Sequence, residues 1–155
     1  MNLLKALLTN DMLVCAVVAY LLAQILKIFT TLWREGSFHL STLISSGGMP
    51  SSHSSTVVAL AISCARIHGV TSPLFAICAI LAAIVMYDAT GVRRAAGEQA
   101  KILNQIVADL FSGDPSYSEK ALKELIGHTP LQVVMGALLG LLIGLFMPSL
   151  APLVL

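Results

Sequence analysis

The sequence predicts an all-α integral membrane protein, a compact bundle of about four hydrophobic helices with an amphipathic helix near one end. Three observations predict it. Hydrophobic residues make up 57% of the 155-residue chain and charged residues 11%. The mean hydropathy of +0.88 lies far outside the soluble range. Apolar segments recur at lengths close to the roughly 20 residues that a membrane span requires, with polar connections between them. A chain of 155 residues has room for a single membrane-embedded domain, 1–155. Its net charge of +1 gives no concentrated basic face, so nucleic acid is not an expected partner.

The first helix is expected from about residue 8 to about residue 33. It is read as retained, because no small-residue cleavage site follows the basic start at Lys5. A Gly- and Ser-rich connection runs from Glu35 to Met49. A second helix starts near Ser52 and ends near His68, with Gly69 as its stop. It is short for a full span. The third begins at about Ser72, with Pro73 in its first turn, and continues to Tyr87 and Asp88. From Val92 to Leu110, Val92, Ala95, Ala96, Ile102, Leu103, Ile106, Val107 and Leu110 recur at helical spacing, while Arg94, Glu98, Lys101 and Asp109 take other faces. This amphipathic helix is expected at the membrane surface or over a site, and the run from Ser112 to Pro115 ends it. A shorter amphipathic piece, Ser118 to Ile126, leads to Gly127 and His128. The last helix opens on Thr129 as N-cap and Pro130 as first residue and reaches about Phe146. Its Gly136, Gly140 and Gly144 form a doubled GxxxG that invites a close helix neighbour, including the same ridge of a second copy in a homodimer. Cys15, Cys64 and Cys78 lie inside apolar runs without ligand spacing and are read as core or lipid-facing.

Four spans would collect Lys27, Arg34, Arg93, Arg94, Lys101, Lys120 and Lys123 on one side and leave Lys5 and Arg66 on the other. The positive-inside rule places the crowded side in the cytoplasm. Three short runs with chemical potential share it. Lys27 and Arg34 are two turns apart on one helix face, so both cations can address one ligand. Pro50, Ser51, Ser52 and His53 open a helix, where unbonded N–H groups and the dipole favour an anion. Gly127 and His128 precede the last helix, and His128 is a candidate nucleophile. Together these runs read as a phosphate site. Each also has a structural reading: Lys27 and Arg34 as snorkelling side chains, the two histidine runs as helix starts, and Asp88 with Arg93 or Arg94 as an ion pair. The shared order and membrane face of all three runs favours the phosphate site.

The same residues resemble the divergent branch of the lipid phosphate phosphatases, a superfamily related to vanadium-dependent haloperoxidases and acid phosphatases. That pattern joins a spaced Lys and Arg, a Pro-Ser-Gly-His run, and an Arg followed downstream by His and Asp. Here Ser52 replaces the glycine, Glu35 a proline, Leu122 the arginine and Gln132 the aspartate. The run from Tyr87 to Ala100, including Asp88, Gly91, Arg93, Arg94, Gly97 and Gln99, also resembles the branch. The resemblance implies metal-independent hydrolysis of a lipid phosphate monoester through a phosphohistidine, with no cofactor. Phosphatidylglycerol phosphate is the first substrate guess, and a polyprenyl phosphate or diphosphate the second. His128 would be the nucleophile and His53 the proton donor, with Asp88 a substitute carboxylate. Lys27, Arg34, Ser52 and Arg93 or Arg94 would hold phosphate oxygens. Either Asp88 or Gln132 would partner His128. Two alternatives belong to other classes: a non-catalytic lipid-phosphate binding or carrier protein, and a structural membrane subunit built on the glycine ridge.

Overall fold

The computed structural model describes residues 3–35, 48–110 and 127–149. The described residues form six helices: α1 (Leu3–Leu8), α2 (Asp11–Glu35), α3 (Ser52–His68), α4 (Pro73–Thr90), α5 (Val92–Leu110) and α6 (Pro130–Phe146). The protein is an all-α membrane protein. Two stretches, Asp11–Trp33 and Pro73–Leu110, are long and apolar enough to cross a bilayer, and α6 is apolar but 17 residues long. The connection 36–47, the run from Ser112 to Pro115 and the expected piece 118–126 lie outside the described residues.

Local chemistry sets the helix ends. The N-terminal apolar run is two helices rather than one, because Asn10 caps α2: its Oδ1 accepts from the Leu13 N–H at 3.1 Å. Ser51, Ser72 and Thr129 cap α3, α4 and α6, with Pro73 and Pro130 in the first turns. Gly69 (φ 82°) closes α3 by donating its N–H to the Ala65 carbonyl. On that same end of the bundle the Arg66 guanidinium donates to the Leu145 carbonyl at 2.8 Å, placing a cation on the last turn of α6.

The bundle is organised around α3, which packs against α2, α4 and α6. Its buried positions are small: Ser52, Ser54, Ser55, Ala59, Ala61, Ser63 and Cys64. The facing stripe of α2 descends through Cys15, Ala19, Ala23, Lys27 and Thr31, all buried. These helices are antiparallel, since Ser55 Oγ donates to the Ala19 carbonyl at 3.2 Å while Cys15 lies opposite Ala59. Large side chains face outward instead, for example Leu131, Val134, Leu138, Leu142 and Leu145 along α6. Lipid solvates leucine as well as a protein core does, so helix pairing here depends on small residues that permit close backbone approach.

The glycine ridge shows this directly and corrects an expectation. A Cβ on Gly136 would stand 2.3 Å from the Ser51 carbonyl oxygen, one on Gly140 2.3 Å from that of Ser55, and one on Gly144 2.6 Å from Ile62 Cβ. The ridge expected to offer a homodimer surface is therefore consumed within the chain by α3. The steps 136–140–144 against 51–55–59 make α3 and α6 parallel, so both helices start at the same end of the bundle.

Candidate functional site

That shared end assembles the site. Ser51 is its buried hub. The Ser51 N–H donates to the Gln132 carbonyl at 3.0 Å, joining the start of α3 to the first turn of α6. Its Oγ accepts from the Ser54 N–H at 3.4 Å and the Ser54 hydroxyl at 3.0 Å. A third element enters through Gly127 and His128. The His128 N–H donates to the Ala89 carbonyl at 3.2 Å, near the end of α4. Gly127 lies so close to the start of α5 that a Cβ there would meet the Arg94 Cα and N at 2.3 Å.

These attachments bring the two motif histidines together. The His53 and His128 ring centroids are 6.4 Å apart with the planes tilted by 57°. They line a cavity of about 220 Å³ with Asp88, Gly127 and Ala89, while Ile84 and Val85 supply an apolar wall from α4. His128 is 5% exposed. Its Nδ1 lies 3.2 Å from Gln132 Oε1, and the same oxygen accepts the Thr129 N–H at 3.0 Å. Thr129 Oγ1 in turn accepts the Gln132 N–H at 3.4 Å, which completes a capping box. Of the two residues considered for the ring nitrogen of His128, Gln132 is the one placed at Nδ1, and Asp88 borders the cavity.

The cations separate. Lys27 is 3% exposed and continues the inward stripe of α2, so it does not snorkel to the bilayer surface. Its aliphatic stem passes beneath Gly48, whose φ of 104° suits glycine and where an added Cβ would stand 2.5 Å from Lys27 Cε. Thr30 Oγ1 donates to the Met49 carbonyl at 2.6 Å and holds this segment against α2. Arg94, expected with Arg93 as a source of the guanidinium, has a partner on its own helix. Its guanidinium is about half exposed and pairs with Glu98 at 3.1 Å along the surface of α5. The side chains of Arg34 and Arg93 lie outside the described residues. Ser52 is buried in the first turn of α3, where its carbonyl accepts the Thr56 hydroxyl at 2.7 Å. Among the described residues, no group of three or more His, Cys, Asp or Glu side chains gathers to hold a metal.

Sequence reasoning missed Gly48 and Thr30 as supports of the site, and it placed Ser51 and Gly127 in the motif runs without their contacts to other segments. The first has a legible signal, a Gly-Gly pair just before the Pro-Ser-Ser-His run. The others act through backbone contacts between distant segments, which residue types do not announce.

The Lys27 to Gln132 pattern lies within a match to the model of the divergent PAP2 family, which spans residues 8–143. The chain belongs to the divergent PAP2 family. It is also 44% identical over 149 residues to YuiD, described as an uncharacterized membrane protein, from Bacillus subtilis; the match covers 90% of this chain and 94% of that one. No solved structure matches the chain. For this family member the membrane assignment thus has support from composition, fold and a relative alike.

Proposed function

We propose that this protein is an integral membrane phosphatase that hydrolyses a lipid phosphate monoester without a metal. The single observation that carries the reading is the pair of histidines facing each other across a small cavity beside Asp88. Family membership adds support at the level of the superfamily's chemistry.

In this mechanism the His128 imidazole attacks phosphorus, forming a P–N bond as the bond to the lipid oxygen breaks. Protonated His53 donates its proton to the departing alkoxide. Neutral His53 then takes a proton from water as that water attacks phosphorus, the P–N bond breaks, and inorganic phosphate leaves. Asp88 compensates the positive charge that His128 acquires. Lys27, Arg34 and Arg93 hold phosphate oxygens with the first turn of α3 at Ser52, and two helix N-termini on one face favour an anion there.

The cavity's α4 wall argues for a lipid. Ile84 belongs both to the lining and to an outward apolar surface with Ile80 and Leu81. A phosphate between the histidines could keep its acyl chains along that surface, inside the bilayer. Phosphatidylglycerol phosphate is the first candidate and polyprenyl phosphates the second. The positive-inside count favours the cytoplasmic side for the site, in the plasma membrane if the protein is bacterial.

The test is phosphate release by purified, detergent-solubilised protein from a panel of lipid phosphates, with chelator present and His128→Ala alongside. Turnover lost in the variant supports the reading. Tight binding of lipid phosphate without turnover would replace it with a carrier function.

A further inference from the structure

We infer that Gln132 is a positioning residue that locks His128 in its Nδ1–H tautomer, so that Nε2 is the nitrogen that attacks phosphorus. The inference rests on the phosphatase reading for its catalytic consequence, but the tautomer lock itself stands on the hydrogen bonds alone.

The side-chain amide of a glutamine has two ends, a carbonyl oxygen and an NH2 group, which shape alone leaves interchangeable. Here the backbone decides. The atom facing the Thr129 N–H at 3.0 Å must be an acceptor, because an N–H and an NH2 group cannot bond to each other. It is therefore the oxygen, and this same oxygen lies 3.2 Å from His128 Nδ1. An amide oxygen carries no hydrogen, so Nδ1 must supply one. The neutral imidazole then has its lone pair on Nε2.

The clamp is stiff because it is part of a helix start. Gln132 is held by its own N–H to Thr129 Oγ1, its backbone carbonyl takes the Ser51 N–H, and the ring it orients is 5% exposed with its backbone tied to Ala89. Rotating the amide would break the capping box as well as release the histidine. A glutamine can thus supply the orienting half of a carboxylate's work while leaving out the charge. That division leaves charge compensation to another group of the cavity lining, which includes Asp88.

The experiment is side-chain NMR of the full chain in detergent micelles with ¹⁵N-labelled histidine, His128 being assigned by its loss in His128→Ala. Wild type should give the Nδ1–H pattern at His128. Gln132→Leu should turn it into a tautomer mixture, and Gln132→Glu, whose carboxylate oxygen accepts from the same two donors, should retain it. On lipid phosphate, Gln132→Leu should lower kcat by about 10- to 100-fold with KM little changed, the size of loss that partners of oriented imidazoles give elsewhere. An Nε2–H pattern in wild type, or an unchanged Nδ1–H pattern in folded Gln132→Leu, would overturn the lock. The expected tautomers in a wild-type protein that releases no phosphate would support the lock and refute the phosphatase reading. The wild-type spectrum alone can refute the lock should Gln132→Leu fail to fold.

Discussion

Placing a methyl group on Gly140 gives a direct measure of how much the bundle depends on the contact between α3 and α6. The new Cβ would stand 2.3 Å from the Ser55 carbonyl oxygen and 3.0 Å from the Ala59 nitrogen. Carbon ordinarily comes no closer to a carbonyl oxygen than about 3.3 Å, so the helices would have to part by roughly 1 Å. Neither opposing atom can rotate away, since both belong to the α3 backbone. A gap of that size forfeits about a quarter to a half of each dispersion contact along the seam. The close approaches at Gly136 and Gly144, where an added Cβ would stand 2.3 and 2.6 Å from α3 atoms, would loosen with it. Overpacking of this kind costs about 1–3 kcal/mol, and a backbone-on-backbone clash belongs at the upper end, near 3 kcal/mol. For a chain of this length that corresponds to a melting temperature lower by roughly 6–12 °C. The assay is a circular-dichroism melt of Gly140→Ala in detergent beside Leu138→Ala, whose leucine faces outward and should cost no more than about 0.5 kcal/mol. Equal melts for the two variants would refute the reasoning. So would a Gly140→Ala protein of unchanged melt that merely passes from dimer to monomer, because the ridge would then face a second copy.

The same closeness at Gly127 predicts that Gly127→Ala, whose Cβ would meet the Arg94 backbone at 2.3 Å, pushes His128 away from Ala89. Phosphate release should fall much further than the melting temperature, and a parallel loss would make Gly127 purely structural. Lys27→Met should raise KM for lipid phosphate about ten- to a hundredfold, the worth of one charged hydrogen bond of roughly 1.5–3 kcal/mol; an unchanged KM would remove Lys27 from the cradle. The dependence of kcat/KM on pH should be bell-shaped within the histidine range of about pH 5–8. The rising limb reports loss of the proton from His128, which attacks as the neutral ring, and the falling limb loss of the proton from His53, which must donate one. A flat profile would count against that pairing.

Helix starts and stops were legible wherever a local signal existed. Ser51, Ser72 and Thr129 with its following proline, together with Gly69, lie where side-chain acceptors, a fixed φ or a positive φ act within one turn of chain. At the N-terminus the expected start near residue 8 lies close to the observed one at Asp11, where Asn10 between Thr9 and Asp11 caps the helix. For Arg94 the sequence offered a shared membrane face and a resemblance, and the structure adds that helical pitch sets it beside Glu98 four residues on.

The sequence by itself determined the solvent, the class and the motif residues. Its composition requires lipid around it, its apolar lengths require helices, and the ordered Lys27, His53 and His128 runs point to phosphate chemistry. Tertiary structure decided what those residues are to one another. It turned the glycine ridge inward onto α3, sank Lys27 beneath Gly48, set His53 against His128 and brought Gln132 Oε1 to Nδ1 of that ring. The reason is physical. Partition into a bilayer and hydrogen bonding within one helical turn depend on residue type and spacing, but a pairing between helices depends on register, and register here is set by which small residues let two backbones approach.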